Sequence, residues 1–335
     1  MEPVEDPSVI PVVDFGPFLA PGATDEDRRG VAMALHAACR DVGFFYLRNH
    51  GVSAKLIARM LGGARDFFET ATPVDKDRIA LRKRSEGGDN ARGWLRIENA
   101  EKGSHEAVDF YRPVADGEGV MAVGGKTVYD TGMGKNQWPS QPSDFKSVAD
   151  EYIGQLEPLG VAVIRALALG LGVDEAIFVE RIDRAFWNLR ILAYEGRKER
   201  ETANAGIGEH TDFGLLTFLL TDSTKKSLQV LSKDGKWVWA DPIEGCYLCN
   251  IGDMLSTWTH GLYKSTLHRV VHTSNSMRIS IPFFFDPNWD AFISPVIEAA
   301  DNGAKLAPVE SIRYSEKFKR SLDVPLWRDP LEVAV

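Results

Sequence analysis

Between Phe186 and Phe285 the chain breaks into short β-rich stretches parted by turn residues, and this spacing constrains the fold more than any other feature. The stretches are Leu189 to Tyr194, Gly214 to Leu220, Leu228 to Leu231, Trp237 to Ala240, Tyr247 to Ile251, Met254 to Thr257, His268 to His272 and Arg278 to Phe285. Many short strands at close spacing argue for a sandwich or a closed double sheet such as a jelly roll. Lys233-Asp234-Gly235-Lys236, between two of them, is a hairpin signal.

The rest of the chain is largely helical in pattern. Asp25 to Cys39 carries Val31, Ala34, Leu35 and Ala38 at helical spacing, and Leu56 to Phe68 resumes it. Phe145 to Gly172 is a strong helix with Leu156, Leu159, Val163, Ala166, Leu167 and Leu171 as its apolar stripe and Gly172 as its stop. Shorter helices are expected around Asp174 to Arg181 and Ser311 to Leu322. Ile10 to Phe15 and Gly43 to Gly51 read as strands, and Gly117 to Pro142 as a long irregular connection of the kind that binds ligands. The expected class is mainly β with flanking helices (α+β). A helix-rich region, 1–140, supports a long helix plus jelly roll, 141–335. The two pack as one unit, because no flexible linker divides them.

Composition narrows the function. A diffuse net charge of −9 without a basic stripe argues against a nucleic-acid partner. The basic residues between Arg78 and Arg84, and Lys317, Lys319 and Arg320, read as solvated. No run of about 18 apolar residues exists, so no membrane span is expected. The acidic, Pro-rich start lacks the basic and apolar segments of a secretory signal. Three cysteines fit a reducing compartment, the cytoplasm. Cys246 and Cys249 form a C-x-x-C, but residues three apart on a strand face opposite ways, so free thiols are expected. Monomer is the default state.

His210-Thr211-Asp212 carries the chemistry. Side chains two apart on a strand share a face, so His210 and Asp212 can grip one metal ion. A charged Asp beside the apolar run Leu215 to Leu220 is costly unless paired or metal-bound. The third ligand is His268, His260 or His272. His260 sits in a turn-like segment, and His272 shares parity with His268 but lies toward a turn. Two histidines and a carboxylate make the facial triad that suits non-haem Fe(II) and leaves positions open. Arg278 and Ser280 share another strand face, where a guanidinium fork beside a hydroxyl suits a carboxylate. Phe284 has the same parity and points into the same space.

These segments together resemble a known family. His210-Thr211-Asp212-Phe213-Gly214-Leu215-Leu216-Thr217, Asn250-Ile251-Gly252-Asp253, Lys264 to Val270 and Arg278-Ile279-Ser280-Ile281-Pro282-Phe283-Phe284 look like the iron- and 2-oxoglutarate-dependent dioxygenases of the isopenicillin N synthase-like superfamily. Ile10 to Asp14, Gly43 to Val52 and Asn136-Gln137-Trp138-Pro139 resemble its N-terminal part. The resemblance implies a double-stranded β-helix (jelly-roll) core. It implies His210, Asp212 and His268 as Fe(II) ligands, and Arg278 and Ser280, helped by Tyr194, as the anchor of 2-oxoglutarate. Arg190, of the same parity as Tyr194, could reach the cofactor region. O₂ is the second co-substrate, succinate and CO₂ are the co-products, and the prime substrate is a small specialised metabolite that is hydroxylated, desaturated or cyclised. Phe284 matches a position that often contacts that substrate, and Asp109 and Tyr111 lie on a strand that lines the pocket in relatives. Phe213, Trp94, Trp138 and Trp258 are further pocket candidates. Arg92-Gly93-Trp94, beside Gly87-Gly88, could form a lid in which Arg92 meets an acidic substrate.

Two other readings stay open. Isopenicillin N synthase itself uses no 2-oxoglutarate, and its Arg/Ser pair holds the substrate's carboxylate. It also carries an iron-binding glutamine near its end, which Pro330 to Val335 lacks. The other alternative is a non-catalytic jelly-roll protein that binds a small molecule.

Overall fold

The structure is a computed structural model that describes residues 9–97, 105–114, 120–123, 126–129, 132–196, 205–297 and 311–323. β1 (Val12–Asp14) leads through α1 (Gly16–Leu19) into α2 (Asp25–Asp41). Thr24 caps α2 by a reciprocal exchange with Asp27, which satisfies two otherwise orphaned donors. β2 (Phe44–Arg48), α3 (Ala54–Thr70) and α4 (Pro73–Arg78) follow. β3 (Gly93–Ile97) pairs with β4 (His105–Tyr111), and β5 (Val120–Val123) with β6 (Lys126–Tyr129). α5 (Phe145–Leu171) ends where Gly172 turns left-handed at φ 69°, the conformation glycine adopts most cheaply. After α6 (Ala176–Val179) come the strands β7 (Ala185–Tyr194), β8 (Ala205–His210), β9 (Leu216–Thr221), β10 (Leu228–Leu231), β11 (Trp237–Trp239) and β12 (Cys246–Ile251). α7 (Asp253–Trp258), β13 (His268–His272), β14 (Arg278–Asn288), β15 (Phe292–Ile293), β16 (Ile312–Arg313) and α8 (Tyr314–Asp323) complete it.

Two sheets face each other. The major one has the order β1-β2-β12-β9-β14-β7-β4-β3, and the minor one β11-β10-β13-β8. β7 and β14, at the centre of the major sheet, are buried on both faces. Their outer face carries Leu189, Ile191, Ile279, Ile281, Phe283 and Phe285, which join one apolar core with α2, α3 and α5. A second core lies between the sheets and holds Phe44, Leu192, Leu228, Val230, Leu248 and Val270. The expected sandwich is thus a jelly roll with helices packed on one side. α5 is long and apolar enough to cross a bilayer by length and composition alone, yet here its buried stripe, Leu156 through Leu167, belongs to the helix–sheet core.

Several expectations change. β1 to β4 enter the major sheet, so residues before 112 supply half its strands. The division at 140/141 therefore separates parts of one sheet. Met254 to Thr257 is helical, not a strand: extended Gly252 precedes Asp253 in the first turn, and Met254, Leu255 and Trp258 bury one helical face. β8 stops at His210, so Asp212 lies just past the strand. The stretch read as irregular contains the β5–β6 pair, with the rest of 115–131 outside the described residues. The chain's first eight residues and Pro330 to Val335 also lie outside them.

Helix and sheet pack tightly at Gly160, where a Cβ would stand 2.6 Å from the Phe285 ring. Gly160→Val should cost roughly 1–3 kcal/mol through overpacking. Urea unfolding would show this as a lower midpoint at unchanged slope, and an unaltered midpoint would mean the helix can ride outward freely.

Candidate metal centre and its cavity

A cavity of about 590 Å³ lies between the two sheets. Its floor is the inner face of β4, β7 and β14, where register aligns polar residues in rows. His105, Tyr194 and Arg278 form one row, followed by Ala107, Leu192 and Ser280. Asp109 with Arg190, then Tyr111, Asn188 and Phe284, form the next two. On the minor sheet His210 pairs directly with His268, just before a bulge between His268 and Val270.

Opposite that floor, His210, Asp212 and His268 converge, with their ligand atoms all within 4.8 Å of one another. The Asp212 Oδ1 atom is 3.5 Å from His268 Nε2 and 3.9 Å from His210 Nε2. Every other polar atom of the three side chains has a partner. His210 Nδ1 lies 2.8 Å from the Gly208 carbonyl and His268 Nδ1 3.1 Å from that of Thr266. Carbonyls only accept, so each Nδ1 carries the proton and each Nε2 presents its lone pair. Asp212 Oδ2 accepts from Thr217 Oγ1 and from Asn250 Nδ2, which leaves Oδ1 as the free ligand atom. Burial alone would raise the Asp212 carboxyl; in the metal-free protein His268, protonated at Nε2 beside Oδ1, and the Asn250 and Thr217 bonds hold it well below the usual carboxylate range, and a bound metal ion would take the place of that proton. Two neutral imidazoles, one carboxylate and open space on the cavity side fit a divalent metal of the Fe(II) type.

The second polar group on the floor is a guanidinium. Arg278 is 2% exposed, and its Nε and Nη1 have no hydrogen-bond partner among the described residues. Burial pulls its pKa down, opposed by Tyr194 and Asp222. The guanidinium lies 5.1 Å over the Tyr194 ring. Asp222, which could neutralise it, is already engaged by Arg65 and the Ile279 N–H. An unpaired buried arginine is costly, and a ligand carboxylate reaching between Arg278 and Ser280 would relieve it. The dicarboxylate 2-oxoglutarate fits this site.

Of the residues expected at the site, His210, Asp212, His268, Arg278, Ser280, Tyr194, Arg190, Phe284, Phe213, Asp109 and Tyr111 all line the cavity. Trp94 and Arg92 do not. Trp94 pairs with Val108 and shares its outward face, with its indole N–H on Glu106. Arg92 is held by Asp89, the Gly132 and Arg112 carbonyls and Asn136, and covers the Tyr111 ring from behind at 5.2 Å. The expected lid is instead the start of β3. Trp138 stacks on Phe110, and Trp258 is in the helix–sheet core. His260 is outside the cluster, while His272 is tied to Ser227 and Ser276. The sequence reading missed Thr217, His105, Asn188 and Asp286 as cavity residues. Strand parity with Arg190 and Phe284 was the signal for the last two.

The comparisons with known proteins agree. Residues 186–287 match the family model described as 2OG-Fe(II) oxygenase superfamily, and residues 10–141 the non-haem dioxygenase in morphine synthesis N-terminal model. A homoarginine-6-hydroxylase (2-ODD-233) of Oryza sativa subsp. japonica is 34% identical over 93% of this chain and 95% of its own length. The hxnY 2-oxoglutarate-Fe(II) type oxidoreductase of Emericella nidulans is 32% identical over 85% and 81%. A full-length Neurospora crassa protein, solved in complex with alpha-KG and thymine, superposes with a TM-score of 0.78 at 26% identity, covering 96% of this chain and 98% of that one. The chain belongs to the 2OG-Fe(II) oxygenase superfamily, within its isopenicillin N synthase-like dioxygenases. It is an Fe(II)- and 2-oxoglutarate-dependent enzyme.

Asn250→Ala or Thr217→Val should release Asp212 Oδ2 and weaken metal binding by roughly 10- to 100-fold, read by Fe(II) titration under argon. Unchanged affinity would mean the carboxylate needs no such support. A second expectation concerns Asp286, whose Oδ1 reaches close to Gly214 where any Cβ would collide. Burial pushes its carboxyl up to about 7, against bonds from Tyr314 and the Leu215 N–H. A carboxyl with a raised folded pKa stabilises the fold at low pH and loses that contribution as pH rises from about 4 through 7. In the metal-free protein Asp286→Asn should therefore gain on the order of 2–4 kcal/mol over wild type at pH 8 relative to pH 4. Equal differences in urea stability at both pH values would contradict the raised value.

Proposed function

We propose that this protein is an oxygenase that hydroxylates an unactivated C–H bond of a small, polar metabolite, with His210, Asp212 and His268 holding Fe(II) and with Arg278 and Ser280 holding the distal carboxylate of 2-oxoglutarate. The observation that carries the reading is the Arg278 guanidinium, two of whose nitrogens have no partner among the described residues, buried on the floor of the same cavity as the three metal-ligating side chains. When bound, iron and 2-oxoglutarate supply the oxidising power, with succinate and CO₂ as co-products. The chain's residues orient and exclude water: Tyr194 supports the guanidinium, and Phe213 and Phe284 add apolar wall beside the polar rows. The names of relatives support a small substrate: the rice relative is a homoarginine hydroxylase, and the fungal neighbour was solved with thymine. Free thiols at Cys39, Cys246 and Cys249 suit a cytoplasmic setting.

The test is succinate release from 2-oxoglutarate, stimulated by members of a metabolite panel. Arg278→Leu should raise the 2-oxoglutarate KM roughly 10- to 100-fold, and His210→Ala should abolish turnover. An unchanged KM, or turnover surviving the loss of His210, would refute the assignment. Substrate oxidation without succinate would point to an oxidase.

A further inference from the structure

The row of the floor beyond Ser280 holds a charged pair outside the residues assigned above to the metal and the distal carboxylate of 2-oxoglutarate. Asp109 is 3% exposed and faces Arg190 across the β4–β7 register. Their nearest approach, Arg190 Nε to Asp109 Oδ1, is 3.8 Å, too long for a hydrogen bond. The Arg190 Nε is buried and has no hydrogen-bond partner among the described residues. Among the described residues the Asp109 carboxylate accepts one long bond, 3.3 Å from Asn188 Nδ2, and burial raises its pKa against the opposing charge of Arg190. Both side chains line the cavity, and the charge of Arg190 reaches His210. A pair built only for stability would close to hydrogen-bonding distance, as Arg92 does with Asp89.

We infer that Asp109 and Arg190 form the subsite for the head group of a free α-amino acid, the ammonium on Asp109 and the carboxylate on Arg190. The inference rests on the oxygenase reading above and names its substrate class. The pair is neutral overall, so a zwitterion leaves no charge unmatched, whereas a simple acid or amine would strand one partner. The Arg190 Nε is closed to solvent, so a ligand carboxylate would meet the terminal nitrogens of the guanidinium, and the ammonium the Asp109 carboxylate beside them. Phe213, Phe284 and Phe318 supply apolar wall elsewhere in the cavity for the remainder of the molecule.

Anaerobic calorimetry on the protein loaded with Fe(II) and 2-oxoglutarate tests this. The probes are L-homoarginine, L-arginine, L-lysine, L-leucine and L-phenylalanine, the deaminated acid and decarboxylated amine of each, and thymine. At least one amino acid should bind, and removal of either head group should weaken it roughly 10- to 100-fold. Asp109→Asn should cost affinity for the amino acid but not for the deaminated acid; Arg190→Met should cost it for the amino acid but not for the amine. The inference is overturned if no amino acid binds, if the truncated analogues bind equally well, or if thymine alone binds. Should the variants fail to fold, the wild-type analogue series still decides. Should amino acids bind while no succinate forms, the oxygenase reading fails and the subsite stands; if succinate forms without any amino acid binding, the reverse holds.

Discussion

The antiparallel pairing of β7 with β14 is the constraint on which the rest of the molecule depends. Both strands are buried on both faces, so alternate residues belong to different environments. Ile191, Ala193, Ile279, Ile281 and Phe283 meet the helices, while Arg190, Tyr194, Arg278, Ser280 and Phe284 meet the cavity. A slip of one residue would exchange the two sets and drive charges against α5. Apolar packing on the helix side therefore holds the register that lines up the polar rows. Gly160 sharpens this, since a Cβ there would collide with the Phe285 ring.

What marks the cavity as a ligand site is incomplete hydrogen bonding. Arg92 and Arg278 are equally buried, at 2% exposure. Arg92 has partners for its guanidinium on every side and serves as a brace behind Tyr111. Arg278, whose side chain lines a roomy site, has two nitrogens without a partner among the described residues. The metal ligands show the same economy: one atom of each is secured by a carbonyl, hydroxyl or amide, and the other is left free. Burying polar groups half-satisfied costs free energy. The two apolar cores on either side of the major sheet offset it.

Much of this was legible from the chain. Strand parity put Arg278, Ser280 and Phe284 on one face and Tyr194 with Arg190 on another, and the register joins them. The H-x-D spacing named two ligands, although β8 stops at His210 and the chain turns before Asp212. Periodicity favoured His268 over His260 and His272 without settling the choice, because that depends on pairing with a strand some sixty positions earlier; the direct His268–His210 pair makes it. Trp94 and Arg92 were misjudged because nearness in sequence to a Gly-rich loop says nothing about which face of β3 a side chain takes. Met254 to Thr257 is too short for strand and helix patterns to differ.

By itself the sequence determined the fold class, the residue types of the metal set and the carboxylate anchor, since these are carried by local periodicity and by motifs within single segments. Only the tertiary structure decided that β1 to β4 share a sheet with the strands of the second half, that Asn250 and Thr217 leave one oxygen of Asp212 free, and that Asp109 and Arg190 face each other without closing. Each of those facts is a relation between segments far apart in the chain. Such relations are set by cross-strand register and by which polar atoms go unpaired, and neither is encoded in any one stretch of residues.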